Sequence, residues 1–370
     1  MGDRRKYWLG FSRVAGIGPA RVSSLLKHFG DLGLAWQASR AELQAAGLPH
    51  KPLQSLIRTR ESLNLDSEYE RLTQAGYQLL CWEDADYPQR LREIAYPPPV
   101  LYLWGELSAK DQWAVAIVGT RGVTPYGRST TEAITRPLAA SGITVVSGLA
   151  RGVDGIAHRA ALEAGGRTLA VLGSGLDHIY PPEHSKLAAQ IAQRGAIISD
   201  YPLGTRPDSG NFPPRNRIIA ALALAVIVVE AGETSGALIT AHFGAEQGRE
   251  VFAVPGNITQ PASAGANRLI QDGAHPLLSV DDVLEALDLE VAIRQESLQR
   301  RLPEDAAERK LLESLSHEPV HIDALQERVG LPAAEIAASL ALLELKGQVR
   351  QVGGMQYVLA RERGPDYQVG

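Results

Sequence analysis

The sequence predicts an α/β fold: a doubly wound, mostly parallel sheet, preceded by a small helical region and followed by a winged-helix-like unit. Three observations lead there. Between residues 113 and 256, six short apolar runs alternate with helix-like segments: WAVAIVG (113–119), ITVVSG (143–148), RTLAVLG (167–173), GAIIS (195–199), LAVIVVE (224–230) and EVFAVPG (250–256). Short, rich in β-branched residues and apolar on both sides, they read as strands buried on both faces, whereas a sheet with one wet face alternates apolar with polar residues. Glycine-rich polar turns follow the runs, and the flanking stretches carry helical patterns instead.

Bulk properties limit the function classes. The chain has 370 residues, 45% hydrophobic and 21% charged, enough for roughly two to three domains. A single cysteine, Cys81, forms no internal disulfide, and no Cys/His cluster has metal-ligand spacing; a reducing cytoplasm is the expected location. No segment nears the ~20 apolar residues of a spanning helix, so no membrane association is expected. Net charge is −5, which argues against a generic nucleic-acid binder. Its distribution is uneven, however: basic residues exceed acidic ones by four in 110–217, while acids exceed bases by seven in 218–300. A local basic surface attracts phosphates even on an acidic protein, because salt screens distant charges beyond about 8 Å.

Residues 1–75 are expected to form a helical domain, broken at GIGP (16–19), FGDLG (29–33) and GLPHKP (47–52). In VAGIGPARVSSLLKHFG (14–30), a glycine turn with Pro19 just inside the next helix leaves backbone N–H groups free, as in a helix-hairpin-helix motif that grips nucleic-acid backbone. A structural turn in a helical bundle accounts for it equally well. Residues 76–287 are assigned to the parallel-sheet domain, 288–304 to a polar linker and 305–362 to three helices followed by a two-stranded turn at Gly353–Gly354, the order of a winged helix. Its third helix carries Glu335 and Glu344 with only Lys346, a poor composition for reading a groove.

In an open parallel sheet, ligands collect at the carboxyl ends of the strands. The polar segments VGTRGVTPYG, SGLARGVDGIAH, LGSGLDHIYPPEHS, SDYPLGTRPDSGNFPPRNRIIA and VEAGETSGALITA all fall at those ends. The second offers Ser147, Gly148 and loop N–H groups to an anion, with Asp154 orienting the loop. FPPRNR (212–217) sets Phe212 beside Arg215 and Arg217, which suits base stacking with phosphate clamping; the plainer alternative packs the ring and pairs the arginines with acids. Catalytic signatures are missing: there is no GxxxxGK[ST], no GxGxxG, and no acid closing the second run, so no cofactor is expected. His158, His178 and His184, with Asp154 and Asp177, match no metal set or triad and are read as structural or polar lining.

Taken together, IVGTRGVTPYG (117–127), SGLARGVDGIAH (147–158), VLGSGLDHIYPPEH (171–184), FPPRNRIIA (212–220), VEAGETSGALITA (229–241) and VFAVPGN (251–257) resemble the DprA/Smf family of bacterial DNA-processing proteins, in family order. The resemblance implies an extended Rossmann-like domain between a helical and a winged-helix domain. It also implies a non-catalytic, homodimeric single-stranded-DNA binder that protects incoming strands in natural transformation and helps load the RecA recombinase. The family's key arginine maps to Arg121. The DNA contact set expected here is Gly119, Thr120, Arg121, Ser147, Gly148, Gly152, Gly173, Phe212, Arg215, Asn216 and Arg217. After Tyr180-Pro181 the chain departs from relatives that place a basic residue or Asn, having Pro182, Glu183 and His184 instead.

A competing reading is a nucleotide phosphoribohydrolase on a related fold. Its PGGxGTxxE motif has only EAGETSGALITA as a counterpart, with Ala237, Leu238 and Ile239 where the acid is needed. A third reading makes the chain a partner-binding scaffold through its acidic 218–300 stretch and its winged helix.

Overall fold

A computed structural model describes residues 4–287, 306–316, 319–345 and 349–359. The chain divides near residue 289 into two compact units.

In the first unit one sheet has nine strands: β1 (Gln78–Cys81), β2 (Val100–Gly105), β3 (Ala114–Val118), β4 (Thr144–Ser147), β5 (Thr168–Val171), β6 (Ala196–Ser199), β7 (Ala225–Val228), β8 (Glu250–Ala253) and β9 (His275–Pro276). Their spatial order is β1-β2-β6-β5-β4-β3-β7-β8-β9. Neighbours from β6 across to β9 are parallel, and β2 joins β6 antiparallel, with Tyr102 opposite Ser199. The six apolar runs are β3 to β8. Every residue of β3, β4, β5, β6 and β7 is buried, which is why no polar alternation marks them.

Successive side chains of a strand point to opposite faces, and here they enter separate cores. Leu79, Tyr102, Ala170 and Ile197 pack with Leu187 and Ile191 of the helix Ser185–Arg194 and with Trp8, Phe11, Leu25 and Leu53 from the N-terminal helices. Leu80, Leu101, Leu169 and Ile198 pack instead with Ile218, Ile219, Ala237 and Ala241 of the helices Phe212–Leu222 and Gly236–Glu246. The sheet is therefore doubly wound. The N-terminal helices share its first core, and the Ser12 and Tyr102 hydroxyls bond at 2.6 Å.

Strands β1, β2 and β9 have no counterpart among the six predicted runs. VLYLWG (100–105) is as apolar as the other runs, but three prolines before it read as a boundary, and an antiparallel edge hairpin gives no βαβ signal.

The second unit has helices Ala306–Ser314, Ile322–Val329 and Ala333–Leu345 around Leu311, Leu325, Ile336, Leu340 and Leu343. Its strands β10 (Val320–His321), β11 (Val349–Gly353) and β12 (Gln356–Leu359) lie in the order β10-β12-β11. This is a winged helix. The two-stranded turn falls at Gly353–Gly354, whose φ values of 106° and 53° suit glycine. Glu344 spends its carboxylate on the Gln351 N–H at 3.0 Å; Lys346 lies outside the described residues. No helix of the described residues is long and apolar enough to cross a membrane.

Candidate nucleic-acid interface

Chain order reverses at β3, since β4, β5 and β6 lie to one side and β7, β8 and β9 to the other. Connections leaving β3 and β7 diverge at this switch point and leave a crevice at the carboxyl edge. A cleft of about 630 Å³ opens there, lined from all five polar turns. Ligand sites typically occupy roughly 300–1,000 Å³.

Glu230 holds the β3 turn. Its Thr120 N–H donates to the Glu230 carbonyl at 2.7 Å, and the Glu230 carboxylate accepts from the Thr124 N–H at 2.9 Å and the Thr124 hydroxyl at 2.6 Å. Thr124 in turn caps the helix Pro125–Ala140 by accepting from the Gly127 N–H. A buried carboxylate (Glu230 is 3% exposed) is thereby matched with donors, as it must be. Glu230 lies more than a hundred residues from the loop it holds, so spacing alone did not reveal it.

From this turn Arg121 projects into the cleft, exposed, with its guanidinium carbon 5.2 Å from the Phe212 ring centroid and no carboxylate partner among the described residues. Phe212 is half-buried, and Tyr180 stands 5.8 Å from it at 37°. Gly173 allows this placement, because a β-carbon there would lie 2.9 Å from the Phe212 ring. Gly152 works on the other side of the turn. It has φ 75°, and a β-carbon would press on the backbone of Thr120 and Arg121.

Of the predicted contact set, Gly119, Thr120, Arg121, Phe212, Arg215 and Asn216 line one cleft. Ser147, Gly148, Gly152, Gly173 and Arg217 do not line it. Ser147 is fully buried and donates to the Ile117 carbonyl at 2.6 Å, tying β4 to β3. The loop N–H groups expected to cradle an anion are already taken: those of Gly148 and Ala150 donate to Asp154 at 3.1 and 3.4 Å.

The arginine clamp divides in the same way. Arg215 is 4% exposed and donates to the carbonyls of Gly148 and Val171, with its guanidinium 5.8 Å from Phe212. Burial pushes it down to about 10, opposed by the nearby Asp154 charge. Burial also raises Asp154, opposed by Arg215. Arg217 pairs with Asp200 at 3.0 Å, away from the cleft. Of the three arginines, only Arg121 offers its charge to solvent. Asn216 bonds the Gly236 carbonyl through its amide at 3.2 Å, joining two walls of the cleft.

The histidines hold backbone in place. The His184 Nδ1 donates to the Leu149 carbonyl at 2.9 Å, at a residue whose φ of 56° strains the β4 loop. His158 is fully buried; its Nδ1 donates to the Thr168 hydroxyl at 2.7 Å, whose own proton goes to the Val145 carbonyl. Burial pulls His158 down to about 3 from the ordinary 6.5. The unfolded chain therefore binds a proton between pH 6.5 and about 3 that the folded chain refuses, so this contribution to stability is complete above pH 6.5 and is lost as pH falls. Urea unfolding at pH 7 and pH 5 is expected to show a steeper loss for the wild type than for His158→Gln, by up to about 1.4 kcal/mol per pH unit. Asp154 and Asp200, both raised by burial, act in the opposite direction in either protein.

Comparison with known proteins shows the family of the chain. Residues 78–288 match the family model of DNA recombination-mediator protein A, and residues 295–355 match the DprA winged helix domain. Protein Smf of Synechocystis sp. is 38% identical, covering 96% of this chain and 98% of its own length. Protein Smf of Escherichia coli is 37% identical over 90% and 93%. Among solved structures, DNA processing protein A from Streptococcus pneumoniae superposes with a TM-score of 0.67 at 33% identity, covering 77% of this chain and 98% of that one. DNA processing protein A from Helicobacter pylori, whose structure was described for its single-stranded DNA binding mode, gives 0.52 at 34% identity, over 57% and 95%. By sequence and by fold, the chain belongs to the DprA/Smf family of DNA recombination-mediator proteins.

Proposed function

We propose that this recombination mediator binds single-stranded DNA without sequence preference, in the cleft between β3 and β7. One observation carries the reading: the exposed Arg121 guanidinium stands over Phe212 with no carboxylate partner among the described residues. Arginine keeps its charge at any cellular pH and fits two phosphate oxygens at once. The exposed parts of Phe212 and Tyr180 offer faces to bases, and such stacking is worth about 1–3 kcal/mol per base whatever the base. The single-stranded DNA mode described for the Helicobacter pylori relative supports the assignment.

Beyond binding, we assign the chain the protection of incoming strands and their delivery to RecA, as a homodimer in the cytoplasm. No bond-breaking step is assigned, because Asp154, His158 and His184 are committed to loop and core contacts. Release of free base from nucleoside monophosphates would overturn that part and revive a phosphoribohydrolase activity.

Fluorescence anisotropy with one labelled oligonucleotide, single-stranded and duplex, across 50 to 200 mM salt tests the binding mode. The single strand is expected to bind more tightly, with log K falling linearly in log salt by about 0.7 per phosphate neutralised. Equal affinity for the two forms, or no salt dependence, would count against it.

A further inference from the structure

A second cleft, of about 580 Å³, lies at the opposite edge of the sheet. It is bounded by residues at the amino ends of β3, β7 and β8 (Gln112, Leu222 and Arg249) and by the short helix Gln89–Arg92. None of its lining residues belongs to the Arg121 cleft.

Two half-buried arginines line it. Arg90 makes no hydrogen bond or ion pair among the described residues. Arg249 has one long bond, from its Nη2 to the Ala221 carbonyl at 3.5 Å, and its buried Nε has no partner. Buried guanidinium donors are normally satisfied, and each exception calls for a physical reason. Burial lowers both arginines, and the Arg249 charge lowers Arg90 further. The two cations therefore repel each other across a partly dry space.

Carboxylates in the lining relieve this only in part, through the charge of Glu93. Asp111 is occupied by Arg167 at 2.6 Å and by the Ser108 N–H at 2.8 Å. Glu93 takes the Gln89 amide at 3.3 Å and forms no ion pair with either arginine, though its field reaches both. Asp86 is exposed to solvent.

We infer that Arg90 and Arg249 form a second anion site, for a phosphoryl group. A doubly charged oxyanion balances both guanidinium groups at once, whereas a single carboxylate balances one. Forked N–H donors match phosphate oxygens in paired geometry. Gln89 and Gln112 offer polar contacts and Leu222 an apolar surface, in a volume suited to a mononucleotide-sized ligand. The phosphoryl group comes from a free phosphate or nucleotide, or from the backbone of a long nucleic acid. The site stands independently of the function given to the Arg121 cleft.

The test uses the full chain carrying Arg121→Ala, which removes the first cleft's exposed cation. Thermal unfolding is followed with inorganic phosphate or thymidine monophosphate against chloride at equal ionic strength, with Arg90→Gln or Arg249→Gln added in turn. In parallel, long and short oligonucleotides are titrated against Arg90→Gln and Arg249→Gln with Arg121 intact. A concentration-dependent rise in Tm that both added substitutions abolish establishes the site for free phosphate. A three- to tenfold loss of affinity for the long oligonucleotide alone establishes it for backbone phosphate. Phosphate protection equal with and without the two arginines, or none beyond chloride together with unchanged oligonucleotide binding, overturns the inference. Arg90 has no hydrogen bond to lose among the described residues, so Arg90→Gln keeps the test decisive if Arg249→Gln unfolds.

Discussion

Arg215→Ala is expected to cost the first unit about 3–5 kcal/mol of stability, the range for removing one member of a buried charge arrangement. Arg215 is 4% exposed, and its guanidinium serves the carbonyls of Gly148 and Val171 while its charge offsets that of Asp154. Alanine leaves two carbonyls short of a donor and a buried carboxylate without its counter-charge, and Asp154 then rises further. A lysine has no planar fork with which to reach both carbonyls, so Arg215→Lys is expected to recover only part of the loss. Urea unfolding monitored by tryptophan fluorescence checks this, with exposed Arg121→Ala as the control, expected within about 0.5 kcal/mol of the wild type. Wild-type stability in Arg215→Ala, together with loss of DNA binding, would show that Arg215 is a ligand contact and not a strut.

The contrast between these arginines marks where the sequence was legible. Six of the nine strands are visible as apolar runs, five of them because burial on both faces leaves a continuous signal, and the carboxyl-end rule then places the polar turns on one edge without coordinates. The edge hairpin β1–β2 carries no such signal, and β9 is only two residues long. Within the site, the family resemblance singled out Arg121, and residue type suggested Phe212 with the arginines beside it. Residue type did not distinguish Arg121 from Arg215 and Arg217, because all three have the same chemistry and differ in what surrounds them. Burial among carbonyls and pairing with Asp200 are tertiary facts. The same holds for the loop Ser147–Ala150, whose N–H groups suit an anion and are held by Asp154, an anion from the protein itself. The first-turn acid of the helix Val153–Glu163 hinted at that outcome, since such residues cap and orient loops. Glu230 gave no hint, because its partner Thr124 is 106 positions away.

In the proposed binding mode Arg121 bears most of the weight. A charge-assisted hydrogen bond contributes about 1.5–3 kcal/mol, so Arg121→Ala is expected to weaken single-strand binding about ten- to a hundredfold. Arg121→Lys keeps the charge but loses the fork and the flat face over Phe212, and is expected to fall between the two.

Equilibrium anisotropy of one labelled single strand against wild type and Arg121→Ala, each titrated across a salt series, is the most direct measurement. Loss of at least tenfold in affinity, with a log–log salt slope shallower by about 0.7, is the result expected if Arg121 neutralises one phosphate of the bound strand. Affinity and slope both equal to the wild type would contradict the assignment of the β3–β7 cleft as the DNA site.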